Sequence, residues 1–245
     1  MVVSVVVFRE AVALRGPGDM MKNSKSLFTQ EEINEIEASI SAAEQRTSGE
    51  VVPVVATVSG RYDRAEDLFA FIFSLIVLAI SWFGLQGLSG QFSWGEEPVL
   101  ALTLPAVIAI LVLAFFVGLA LAHYIPGLRL MLISQQEMQE EVERKARESF
   151  YQLKLRKTEG ATGILIFISL FEHRVHIIGD DAISAKLSQA DWQDICDTIL
   201  TGFKKGNPAE GLTNAIRQSG DLLAGHFPIK EGDENELSDQ LHLID

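Results

Sequence analysis

The stretch LFAFIFSLIVLAISWFGL, residues 68–85, runs eighteen positions without a charged side chain. As a helix rising about 1.5 Å per residue it would reach roughly 27 Å, close to the hydrocarbon thickness of a bilayer. A second apolar run covers residues 99–121 and includes Pro105 and Gly118, residue types that membrane helices tolerate better than soluble ones. Trp82 and Trp94 near one end, and Tyr124 near the other, suit the water–lipid interface. These features predict a transmembrane helical hairpin over residues 66–125.

The rest of the composition fits that segregation. The chain has 245 residues, of which 48% are hydrophobic and 22% charged, with a mean hydropathy of +0.21. Outside the hairpin enough chain remains for one domain with its own core. A formal net charge of −13 argues against a nucleic-acid partner, whose phosphates want a basic face. The one cysteine, Cys196, cannot form an intrachain disulfide.

Orientation follows from the basic residues. The connector 86–98 holds no lysine or arginine and carries Glu96 and Glu97. Arg61 and Arg64 precede the first span, and Arg129, Arg144 and Lys145 follow the second. The positive-inside rule then places both flanks in the cytoplasm and the connector outside. The expectation is a multi-pass protein of the inner (cytoplasmic) membrane with both termini cytoplasmic. Residues 1–26 read as a disordered leader or a mis-annotated start. Their apolar run is too short for a signal peptide, and Met20-Met21-Lys22 looks like a natural beginning.

On either side of the hairpin the pattern is that of one α/β domain, residues 27–64 and 126–228. Thr29 and Glu32 form a capping box, with Phe28 and Ile33 as its hydrophobic staple. Ile33, Ile36, Ile40 and Ala43 continue at helical spacing, and Gly49 can end the element. Residues 50–58, EVVPVVATV, predict a strand, and Pro53 predicts that it lies at an edge or a bulge. Residues 135–155 predict an amphipathic helix with Met138, Val142, Ala146, Phe150 and Leu153 on one stripe. GILIFISL at 163–170 and RVHII at 174–178 predict an antiparallel strand pair. Trp192, Ile195, Ile199 and Phe203 mark a helix ended at Gly206, and Asn207-Pro208 open another. The tail 229–245 is acidic and reads as mobile, with six acids and no lysine or arginine from position 231 onward. Two antiparallel spans pack about 8–10 Å apart, so to the domain the hairpin resembles a long loop at an exposed junction.

Several segments resemble the TPM domain family: Thr29-Gln30-Glu31-Glu32, then Thr47-Ser48-Gly49-Glu50-Val51-Val52, then 163–169. With Glu172-His173-Arg174-Val175 and Asn235-Glu236-Leu237, their order is similar to the bacterial membrane-protein branch, which carries a transmembrane hairpin inside the domain. The resemblance covers roughly residues 27–240. It implies a small sheet flanked by helices, in a family whose members include thylakoid proteins linked to photosystem repair, one with reported acid phosphatase activity, and a receptor accessory protein. In phosphatase-like members an acid associated with a metal site precedes the strand resembling 163–169. Here Ala161 and Thr162 occupy that place, and Glu159 could substitute only if the loop bends differently.

Read for chemistry, the chain has no zinc spacing, Walker loop or nucleophile elbow. Cys196 beside Ile195 reads as a core cysteine. His173 and His176 read as surface histidines on opposite strand faces. The most suggestive group is Glu172, Asp180 and Asp181, whose carboxylates could hold Ca²⁺ or Mg²⁺, with Arg174 to meet a phosphate. Otherwise Asp180-Asp181 is a polar loop, and Arg174 pairs with Glu172 or Glu148. No other cofactor is expected. The preferred function is a membrane-anchored, non-catalytic interaction or assembly module, whose partners are the lipid bilayer and a membrane or cytoplasmic protein. The alternative is a weak metal-assisted phosphatase. A transporter fits poorly, because His123 is the only ionisable residue in the spans.

Overall fold

The computed structural model describes residues 23–89, 103–158, 160, 162–229 and 236–245. The leader through residue 22, the connector with Trp94, Glu96 and Glu97, and positions 159 and 161 lie outside the described residues. The chain divides into two compact units, residues 61–134 and the combination of 1–60 with 135–245.

In the smaller unit, α-helices span Asp63–Ser89 and Leu104–Tyr124, and a short one follows at Pro126–Leu130. In chain order these are α3, α4 and α5. Helices α3 and α4 are long and apolar enough to cross a membrane, and only 11% of each apolar window is buried. What is buried is small: Ala70 and Ser74 on α3, and Ala114, Gly118 and Ala122 on α4. At Gly118 a Cβ would come within 2.9 Å of the Ala70 Cα, so the two backbones approach there as only glycine allows. Phe71, Ile76, Ile80 and Phe83 on α3, and Leu104, Leu113 and Phe116 on α4, are exposed. Pro105 falls in the first turn of α4 rather than within it, where its missing N–H leaves no bond unmade.

The larger unit opens with α1, Ser24–Leu27, and α2, Gln30–Glu44; α1 takes in the last residues of the expected leader, because buried Ser24 bonds to Thr57 and Ile244. The predicted box is present in full, with Thr29 Oγ1 accepting from Glu32 N and Glu32 Oε2 accepting from Thr29 N. The strands are β1 (Glu50–Ala56), β2 (Gly163–Ser169), β3 (Arg174–Gly179) and β4 (His242–Ile244). The remaining helices are α6 (Gln135–Gln152), α7 (Asp181–Ser184), α8 (Gln189–Lys205) and α9 (Pro208–His226). The sheet order is β3-β2-β1-β4, with β2–β3 antiparallel and β1 parallel to both its neighbours.

Side-chain alternation divides the core. Val51, Val55, Ile164, Ile166, Val175 and Ile177 pack with residues of α2, α8 and α9, among them Ile40, Trp192, Ile199 and Ile216. Val52, Val54, Leu165, Phe167 and Ile178 pack with Val142, Ala146 and Phe150 of α6. Helices cover both faces, which is why the strands read as continuous apolar runs rather than alternating ones.

Two expectations change. The acidic tail ends in β4, where His242, Leu243 and Ile244 pair with Val54, Val55 and Ala56. Leu241 is buried beside the core, so apolar residues at the chain end outweigh the acids before them. Consequently β1 is an interior strand, and Pro53 is not on an edge strand. Glu50 N donates to Thr162 O beside β2, so along an extended strand the odd-numbered positions turn the other way. There Val51 N donates to Glu44 Oε1 at 3.0 Å and Thr57 N to Ile244 O at 2.8 Å. Pro53 lies between them, before the first paired residue of β4, at a place that asks for no donor.

Candidate functional site

The side chains singled out for chemistry fall at opposite ends of β3. At its start, the carboxylate of Glu172 is buried and ties the β2–β3 turn to the segment leaving β1. Glu172 Oε1 accepts from Ser59 N at 2.9 Å and Gly60 N at 3.2 Å, and Oε2 accepts from the Ser169 hydroxyl. The Ser59 and Ser169 hydroxyls lie 2.6 Å apart, which closes the network. His173 turns the chain with a positive φ of 52°, and burial lowers its basicity. Arg174, also buried, donates through Nη2 to Gln135 Oε1 at 2.6 Å and to the Gln135 carbonyl at 3.3 Å, at the first residue of α6.

At the other end of β3, Asp180 is the N-cap of α7. Its Oδ1 accepts from Asp181 N at 2.8 Å, its own N donates to Gly163 O, and Asp181 is exposed in the first helical turn. An extended strand rises about 3.3 Å per residue, so six strand residues hold Glu172 and Arg174 roughly 20 Å from Asp180 and Asp181. The structure therefore does not bring the four together. Among the described residues no three His, Cys, Asp or Glu side chains are arranged to hold one metal ion. As a joint Ca²⁺ or Mg²⁺ site the predicted set does not fit.

His176 is not on the surface. It is completely buried on the α6 face of the sheet, opposite Phe167. Burial, helped by the Arg147 charge, lowers its pKa to about 4, so the imidazole is neutral. Cys196 lies in the core, and burial, reinforced by Asp197, pushes its thiol up to about 12, far from a nucleophile's range.

The sequence reading missed a cluster of acids at the start of β1. Glu50 is buried, its Oε1 accepts from Glu236 N at 3.2 Å, and its Oε2 is buried without a donor. Glu44, at the end of α2, gives Oε1 to Val51 N and likewise buries a donorless Oε2. Burial raises Glu44 to about 9 despite the Val51 bond, and Glu50 and Asp239 raise it further. Glu50 is raised as well, first by burial and then, against the Glu236 bond, by Glu236 and Asp239. Two signals for this cluster were in the sequence. One is a glutamate heading an otherwise apolar, fully buried strand; the other is Asn235-Glu236-Leu237 breaking the acidic tail with an apolar residue.

Known proteins now give this arrangement a family context. Residues 124–222 match the family model of the TPM domain. The fold is similar to that of the BA42 protein from the psychrophilic bacterium Bizionia argentinensis, with a TM-score of 0.52 at 21% identity over 88% of this chain and 94% of that one. No curated protein matches the chain in sequence. The family-model match takes in β2 and β3 and reaches into α9, while the sheet also draws β1 from before the two apolar helices and β4 from the end of the chain.

Proposed function

We propose that the protein is a membrane-anchored interaction or assembly module, with α3 and α4 in the inner membrane and the TPM domain at its cytoplasmic face. The observation that carries this is the direction of the apolar side chains on α3 and α4. They point outward along two helices whose buried contacts are alanine, serine and glycine. A core helix of a soluble domain would bury those side chains, whereas lipid accepts them at no cost. The basic flanks at Arg61, Arg64, Arg144 and Lys145, against an acidic connector, support the cytoplasmic side.

A role in assembly draws on how the domain uses its polar groups. Glu172 holds a turn, Arg174 holds the start of α6 and Asp180 caps α7, so each has a structural task. The alternative, a weak metal-assisted phosphatase, would draw on Asp180 and Asp181, the two predicted ligands that stay together. Affinity capture of the tagged full chain from native membranes, beside an aryl-phosphate assay with Mg²⁺ and Ca²⁺, separates the two readings. A stoichiometric membrane or cytoplasmic partner and no turnover supports the module. Turnover that needs metal and is lost in Asp180→Asn would replace it.

A further inference from the structure

The acid cluster at the start of β1 also secures the end of the chain. The segment 236–245 is held by two carboxylate acceptors and a strand pairing: Glu50 of β1 takes Glu236 N, Glu37 of α2 takes Leu241 N at 3.3 Å, and β4 pairs with Val54 to Ala56. Beyond β4, Asp245 pairs with Lys25 at the surface. Among the described residues, the charged groups facing the buried pair come from three elements. Helix α2 contributes Glu44, β1 contributes Glu50, and the terminal segment contributes Glu236 and Asp239, while Glu37 and His242 interact with each other. Among its described residues the loop before β2 offers Thr158 and Thr162, and the Thr162 hydroxyl donates to Ser48 O. Arg46, next to this region in sequence, is turned to Asp221 on α9.

Two buried carboxyl oxygens, Glu44 Oε2 and Glu50 Oε2, thus have no donor among the described residues and stand in a group of like charges. Two carboxylates so placed cannot both be ionised without a large penalty, and a proton removes it. We propose that Glu44 and Glu50 hold a proton between them and form a pH-dependent latch for the C-terminal segment 236–245. With that one proton the pair carries a single negative charge and clamps Val51 N and Glu236 N. When the proton leaves as pH rises, repulsion among Glu44, Glu50, Glu236 and Asp239 frees the segment and uncovers the β4 side of β1. The raised pKa of both carboxyls, which burial weakens as acids, agrees with this direction.

Hydrogen exchange of the full chain in detergent micelles, corrected for intrinsic rates, tests the latch. Between about pH 6 and about pH 9 exchange at residues 241–245 should rise about tenfold or more in the wild type. In Glu44→Gln/Glu50→Gln it should change by less than about twofold, since the amides keep both acceptors and supply the missing donor. A flat wild-type profile, or the same rise in the double variant, would overturn the proposal. So would protection restored at about pH 9 by added Ca²⁺, because the pair would then be holding a cation. Should the double variant not fold, carbon-13 NMR of glutamate carboxyls in the wild type decides. A glutamic acid still protonated above about pH 7 supports the latch, and full ionisation by about pH 6 contradicts it.

Discussion

Glu172 shows how a residue suited to chemistry by type can be occupied by structure. Its two oxygens serve Ser59 N, Gly60 N and the Ser169 hydroxyl inside the protein. Glu172→Ala would leave those donors buried without an acceptor, at about 2–4 kcal/mol, whereas Glu172→Gln should lose less than half of that. Urea denaturation of both variants checks the order. Asp180 gives a parallel case at the helix cap. Asp180→Ala should cost about 1 kcal/mol through the lost bond from Asp181 N, while Asp180→Asn, an equally good cap, should be near neutral. At this scale the sequence showed residue types but not their distances. Glu172 and Asp180 are eight positions apart, which reads as proximity in a loop and as roughly 20 Å along a strand.

Elements were more legible, because their signals are local. The box Thr29–Glu32, the stop at Gly206 and the start at Asn207-Pro208 all stand where their side chains imply. The continuous apolar runs of β1 and β2 correspond to strands buried along their whole length. Strand β4 escaped notice because three residues carry no period and the acids before it dominate the composition. Pro53 misled for a related reason: a missing donor signals an edge only if the neighbouring strand runs the full length, and β4 does not. Helix pairing depends on contacts that composition cannot show. Gly202 on α8 faces Gly211 on α9 so closely that a Cβ at 202 would lie 2.4 Å from the Gly211 Cα. Gly202→Ala should therefore cost about 1–3 kcal/mol by forcing two backbones apart, despite alanine's better helix propensity. Thermal melts of that variant beside Gly225→Ala, where a Cβ meets nothing, give the comparison.

At the scale of the molecule, buried ionisable groups set opposing pH responses. His176 titrates at about 4 when folded against an ordinary 6.5, so the unfolded chain binds more protons between those values. Its contribution to stability is lost as pH falls through that window. Glu44 titrates at about 9 when folded against an ordinary 4.5, so here the folded chain binds more protons, and stability is lost as pH rises. Below about 6.5 the two oppose each other; above it the acid pair acts alone, and the melting temperature should decline toward about pH 9. His176→Gln should reduce the acid-side loss, to which His173 and His242 also contribute, and leave the alkaline decline. Melts of both proteins across that range would show it.

The proposed anchoring of this domain in a membrane by α3 and α4, with both chain ends in the cytoplasm, is open to test in intact cells. Labelling of single introduced cysteines with an impermeant maleimide in intact cells tests it most directly, and Cys196, buried in the core, provides no background. A cysteine at Ser89 should be labelled from outside, and one appended after Asp245 only once the cells are permeabilised. Labelling of the C-terminal cysteine in intact cells with protection at Ser89, or recovery of the protein in the soluble fraction, would contradict the account.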